Sequence, residues 1–384
     1  MKAPRLFTPG PTQVPEAVLA AGAQPMIHHR SDEFSKLLSQ VRSSLKTLCD
    51  TEGEALVLSA SGTGGMEACV SSLFAPGDEV VVVEGGKFGE RWVELAHHYR
   101  LNAQVIRVPW GSAVRPEEVV CAVKPSTRGV LIQSTESSTG VFHPVDRIGD
   151  MLPPRDDLLF VVDAIASLGI HDVSMRKHRI DILLGASQKA LMCPPGLATV
   201  CVGPRAIARL KKVPAQSYYF SLQRELGAQT QGGTAFTPAV SLVRSLAAAL
   251  EMILNVDPAE RIRRQRELQA MARCAFREDG LLLFNREEDA TLGITVVKAP
   301  QGIDVSTWLR DLKTKHGLWL GGGQSKLEGK IFRMAHFGAI SPDDLLWALE
   351  TIEESLASHY PQARAHAGLN QARQIHRQER RIGS

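Results

Sequence analysis

The chain has 384 residues, 44% hydrophobic and 22% charged, with a net charge of +3. Hydrophobic cores stop growing beyond about 250–300 residues, so this length predicts one large domain and a smaller one. No run approaches the roughly 18 apolar residues of a membrane span, and the opening Met1-Lys2-Ala3-Pro4-Arg5 lacks the apolar stretch of an export signal, so a cytoplasmic protein is expected.

The charge is unevenly placed. Residues 361–384 hold five arginines (Arg364, Arg373, Arg377, Arg380, Arg381) against one acid, Glu379, which leaves the body almost neutral. That argues against a nucleic-acid partner and predicts a solvated, flexible basic tail. The six cysteines form no CxxC pair, which argues against a zinc site and a disulfide framework. Cys193 stands four positions after Lys189 and is expected to be a buried structural thiol.

Along the chain, apolar runs alternate with helical patterns, the signature of an α/β domain with a mostly parallel sheet. Strands are predicted at 55–58, 78–83, 103–108, 129–132, 158–162, 180–184 and 199–202, with helices at 66–74 and 88–99 between them. Runs this continuously apolar belong to strands buried on both faces. Long helices are predicted at 239–255 and, after Pro258, at 259–277. Strands at 292–297, 318–320 and 331–334 and a helix at 342–358 would complete a smaller α+β unit. The resulting division is an N-terminal segment (1–20), a large domain (21–257), a small domain (258–360) and the tail (361–384).

In open α/β sheets, ligands sit beyond the carboxyl ends of the strands. Ser61-Gly62-Thr63-Gly64-Gly65 follows the first strand and opens a helix, where glycine lets the backbone approach a ligand and free N–H groups attract an anion. It matches neither GxGxxG nor GxxxxGK[ST], and alone it is a weak signal. Asp163 ends an apolar strand, where a carboxylate is costly without a positive partner; it reads either as a helix cap or as the counter-ion of a cationic ring nitrogen. Lys189, in Ser187-Gln188-Lys189-Ala190, follows the next strand. Buried lysine loses proton affinity and becomes a nucleophile suited to Schiff-base chemistry. Asp and Lys disposed in this way are the protein's usual contribution to a pyridoxal-phosphate site.

The runs Val161-Val162-Asp163-Ala164, Ser187-Gln188-Lys189-Ala190-Leu191 and Pro194-Pro195-Gly196 resemble the class V aminotransferases, within them the alanine–glyoxylate and serine–pyruvate branch. Thr8-Pro9-Gly10-Pro11-Thr12, Ser61-Gly62-Thr63, Glu136-Ser137-Ser138-Thr139-Gly140 and Arg333 support the match, which spans about residues 5 to 358 in order. The resemblance implies the type I pyridoxal-phosphate transferase fold with a seven-stranded-type sheet, and a homodimer with active sites at the subunit interface. It implies that Lys189 holds pyridoxal 5'-phosphate as a Schiff base and shuttles a proton, while Asp163 pairs with the pyridine nitrogen. Ser61, Gly62, Thr63 and Gln188 would hold the phosphate, Ser137 would lie near the phenolic oxygen, and Phe88 would stack on the ring where many relatives have tryptophan. Thr234 and Thr237 would reach the neighbouring subunit's phosphate, though some relatives have tyrosine at the first of these positions. Arg333 would clamp the substrate carboxylate, with Gly10 beside it. His28, His29 and Arg30 read equally as a pocket rim or as surface and capping residues.

The activity so implied is amino transfer from alanine or serine to glyoxylate or pyruvate. Phosphonate or ureide donors stay open. A cysteine desulfurase reading is disfavoured, because Gln188 rather than histidine precedes Lys189 and no cysteine follows Met334. A non-catalytic scaffold is disfavoured by the intact lysine, aspartate and arginine.

Overall fold

The computed structural model describes residues 4–357 and 366–382. In chain order the strands are β1 (Arg5–Phe7), β2 (Glu54–Leu58), β3 (Glu79–Glu84), β4 (Asn102–Arg107), β5 (Thr127–Gln133), β6 (Thr135–Glu136), β7 (Val141–Phe142), β8 (Leu159–Asp163), β9 (Ile182–Ala186), β10 (Ala198–Val202), β11 (Ile294–Lys298), β12 (Leu318–Gly322) and β13 (Ile331–Ala335). Seven of them form the central sheet in the order β2-β10-β9-β8-β5-β3-β4. Neighbours pair in parallel from β9 through β8, β5 and β3 to β4. β10 pairs antiparallel with both β2 and β9.

Except for the edge strand β4, whose residues are all partly or fully exposed, the strands are short, valine- and leucine-rich and buried on both faces, because helices cover each side. One face packs the Asp32–Cys49 and Val240–Leu254 helices through Phe34, Leu38, Val41, Leu246 and Leu250. The other packs the Gly62–Leu73 and Lys87–His98 helices through Met66, Val70, Trp92 and Ala96. The carboxyl ends of β2, β8 and β9 therefore release the segments that begin at Ser59, Ala164 and Ser187 along one edge.

The second sheet has the order β1-β12-β13-β11. It packs against the Pro258–Glu278 and Pro342–Ala357 helices through Phe276, Phe332, Met334, Leu345 and Leu349. The helix that starts at Pro258 is capped by Asp257, whose carboxylate accepts from the Ala259 and Glu260 N–H groups. No helix among the described residues is long and apolar enough to cross a membrane.

The N-terminal segment joins the second sheet: Arg5, Leu6 and Phe7 pair in parallel with Leu318, Trp319 and Leu320, and Phe7 is buried in the second core. Its three residues are too few to carry a strand signal by themselves. The basic tail is not a solvated chain end where it is described. Ala367–Ile382 is a helix that buries Leu369 and Ala372, with Ile375 packed beside them. Those positions recur at helical spacing, beneath a surface of arginines that hid them in a reading by charge. Glu379 also pairs with Arg263 at 2.8 Å and His376 with Glu267 at 2.6 Å. The part of the tail at 361–365 and 383–384 lies outside the described residues.

Candidate active site

Asp163 is the last residue of β8 and is 4% exposed. Its Oδ1 accepts a hydrogen bond from the Ile165 N–H at 2.8 Å. No helix begins at this turn, so the capping alternative falls away. Burial pushes its carboxyl up to about 7, helped by the negative charge of Glu136 and opposed by the Ile165 hydrogen bond, Lys189 and Arg91. A buried carboxylate with so little hydrogen bonding is poised to accept a cationic N–H donor.

Lys189 stands three residues beyond β9. Its ammonium donates to the Pro9 carbonyl. Burial chiefly, with the charge of Arg333 second, pulls its pKa down to about 8, against the opposing pull of Asp163. The N-terminal segment braces this turn: Thr12 N–H donates to the Gln188 carbonyl at 3.1 Å and the Thr12 hydroxyl to the Lys189 carbonyl at 2.9 Å. Gly10 has φ +136°, and a β-carbon there would stand 2.7 Å from Lys189 Cε. Glycine is thus required both by the backbone and by the passing lysine.

The Gly62–Leu73 helix starts beside them. Ser61 is its N-cap, yet its side chain makes no capping hydrogen bond, which leaves the first N–H groups of the turn for an incoming anion. A β-carbon on Gly62 would press on Ile165 Cγ1 at 3.2 Å, so this turn lies against the Asp163 loop. The Gln188 side-chain oxygen is buried without a hydrogen-bond partner. An uncapped helix start, an unpartnered amide and a depressed lysine opposite a poorly satisfied carboxylate are what a phosphorylated pyridine aldehyde needs, and the residues fit that group.

Arg333, on β13, is 6% exposed. Its Nε donates to the Gly322 carbonyl and Nη1 to the Ser137 carbonyl, both at 2.9 Å. Among the described residues it forms no ion pair, and burial lowers its pKa to about 10. A guanidinium held by backbone carbonyls keeps the rest of its fork for a carboxylate.

Glu136 and Arg91, to which the sequence reading gave no role, belong to the same cluster. Glu136 is fully buried, and its Oε2 accepts from the Phe88 and Gly89 N–H groups at 3.0 Å each. Its Oε1 accepts from the Ser138 N–H at 3.2 Å and hydroxyl at 2.5 Å. This carboxylate, raised by burial against those hydrogen bonds, caps the helix that presents Phe88. Nothing local in the sequence shows that Glu136 faces a helix start 48 residues upstream.

Thr234 and Thr237 do not join this cluster. They line a surface cleft with His29, Arg30 and Asp32, and the Thr234 hydroxyl donates to the Phe236 carbonyl at 2.7 Å. His28 and His29 stack at 4.7 Å. Cys193 is a buried structural thiol, pushed up to about 12 by burial.

The class V aminotransferase model matches residues 5–328. The chain belongs to that family. It is 37% identical over 359 residues to a protein of Synechococcus sp. named soluble hydrogenase, small subunit, covering 92% of each chain. It is 28% identical to an L-aspartate–glyoxylate aminotransferase of Paracoccus denitrificans, covering 97% of this chain and 96% of that one. Among solved structures it resembles an aspartate aminotransferase of Thermus thermophilus with a TM-score of 0.86 at 33% identity, over 92% of this chain and 99% of the other. As a member of this family the chain is a pyridoxal-phosphate-dependent aminotransferase.

Proposed function

We propose that this aminotransferase moves the amino group of a small amino acid, alanine or serine, to glyoxylate or pyruvate, with Lys189 as the proton-shuttling amine. The observation that carries the reading is Arg333, a buried guanidinium whose partners are two carbonyl oxygens and whose charge bears directly on Lys189. An α-carboxylate seated there sets the substrate's α-carbon beside the amine. Lys189, its proton affinity lowered by burial, takes the α-proton and returns it on the other side of the transfer. Asp163 keeps a ring nitrogen protonated. Ser61, Gly62, Thr63 and Gln188 would hold the phosphate, Ser137 would lie near the phenolic oxygen, and Phe88 would supply a stacking face. Pyridoxal phosphate, when bound, supplies the electron sink that makes the α-proton acidic.

The relatives named for aspartate–glyoxylate and, in Methylorubrum extorquens and at 28% identity, for serine–glyoxylate transfer support glyoxylate as acceptor. The cleft of Thr234, Thr237, His29 and Arg30 supports a homodimer in which that loop completes the neighbouring site. All six cysteines are free, which suits the reducing cytoplasm.

The test is the absorption spectrum of the purified protein loaded with pyridoxal phosphate, before and after alanine, serine or aspartate. A visible band that fades with alanine or serine, and returns with glyoxylate, supports the reading. A band that responds to none of the donors overturns the substrate assignment, and the lack of any band overturns the site.

A further inference from the structure

Arg91 lies in the first turns of the Lys87–His98 helix, next to Phe88, and is half-buried. Among the described residues it has no ion pair. Its Nη1 donates to the Thr63 hydroxyl at 3.1 Å, and its guanidinium lies over the Phe88 ring at 4.9 Å. One side chain therefore joins the anion-accepting start of the Gly62–Leu73 helix to the aromatic residue one turn earlier on its own helix.

We propose that Arg91 is a positioning residue for the cofactor's phosphate, acting through Thr63. The inference rests on the reading of Ser61–Thr63 as the phosphate cradle. A hydroxyl that accepts a hydrogen bond from a cation has its own proton turned away from that cation, free to donate to an oxyanion. The Thr63 hydroxyl is thus oriented before any anion arrives. The guanidinium adds a fixed positive charge behind the cradle, where the helix start offers only partial charges. Its contact with the face of Phe88 fixes the distance between the phosphate end and the stacking residue. The same charge reaches the reacting groups, lowering the proton affinity of both Asp163 and Lys189. That favours a carboxylate and a neutral amine, the forms the chemistry uses.

The test compares pyridoxal phosphate with pyridoxal, which lacks the phosphate, as ligands of the cofactor-free protein, read by protein fluorescence and by the visible band. Arg91→Met is expected to weaken pyridoxal phosphate by roughly tenfold or more and pyridoxal, which keeps only the ring and aldehyde contacts, several-fold less. Arg91→Lys, which retains charge without the fork, recovers part of the loss. Thr63→Val reproduces the loss and Thr63→Ser does not. The double variant Arg91→Met, Thr63→Val is no weaker than the poorer single variant, because the two residues act as one unit. Equal loss of both ligands, or unchanged pyridoxal phosphate affinity with impaired alanine or serine turnover, overturns the inference. If Arg91→Met does not fold, the Thr63 pair decides alone: similar affinities in Thr63→Val and wild type overturn it. A wild-type protein that binds neither ligand fails the underlying site assignment instead, so the two failures are distinct.

Discussion

The Nη1 of Arg333 donates to the backbone carbonyl of Ser137 at 2.9 Å, joining a strand of the second sheet to the turn between β6 and β7. In the proposed function this contact would set where a substrate carboxylate is received. Arg333→Gln removes the charge and leaves the carbonyl contacts partly intact. The KM for the amino donor should rise roughly 100-fold, the equivalent of about 2.7 kcal/mol, with a far smaller change in cofactor affinity. Steady-state kinetics beside a cofactor titration checks this, and an unchanged KM rules out the clamp.

Gly10 and Lys189 pass each other too closely for any side chain. Gly10→Ala meets a φ of +136° and drives a methyl into the lysine side chain. Roughly 1–3 kcal/mol of backbone strain is expected, together with loss of the visible band as Lys189 is displaced. Retention of the band with normal thermal stability would show that the lysine reaches its place by another path.

The lysine's proton affinity has its own readout. In the folded protein Lys189 holds its proton less tightly than a free lysine, so its neutral fraction grows as pH rises through about 8 rather than 10.5. Acylation of Lys189 in cofactor-free protein, followed by peptide mapping, should rise with a midpoint near pH 8. A midpoint shared with the exposed lysines contradicts this.

Asp163 is placed for chemistry at the expense of stability. Its carboxyl is raised in the folded state from 3.8 to about 7, so folding favours the protonated form. The penalty is absent below about pH 4, grows as pH rises, and is complete above about pH 7. Asp163→Asn should therefore lower turnover about 100-fold or more yet stabilise the cofactor-free protein at pH 8 by about 2–4 kcal/mol. The gain should fade toward pH 4. Urea unfolding at the two pH values measures it, and a variant destabilised at pH 8 refutes the argument.

The C-terminal helix is expected to be structural. Leu369 is 1% exposed in the core beneath the second sheet, so Leu369→Ala should cost about 2–4 kcal/mol. Deletion from His366 onward removes the helix and should lower the melting temperature more than the single change does. If the deletion leaves it unchanged, the packed helix has no role in holding the fold.

Much of the central sheet was legible in the sequence, because a strand buried on both faces must be apolar throughout and its ends must be marked by turns. The lysine, the aspartate and the glycine-rich turn were visible for the same reason: polar residues at the ends of apolar strands need an explanation. What the sequence could not state was which distant groups meet them. Glu136 caps the helix start at Phe88, Arg91 reaches Thr63, and Pro9 receives the ammonium of Lys189, and none of these pairs is close in the chain. The terminal elements were hidden on similar grounds. β1 is too short to show a period, and the last helix hides Leu369 and Ala372 beneath arginines. Local pattern determines which segments are buried and where chemistry-bearing residues interrupt them. Only the packed tertiary structure decides which of those interruptions face one another, because burial, hydrogen bonding and charge are properties of neighbours in space.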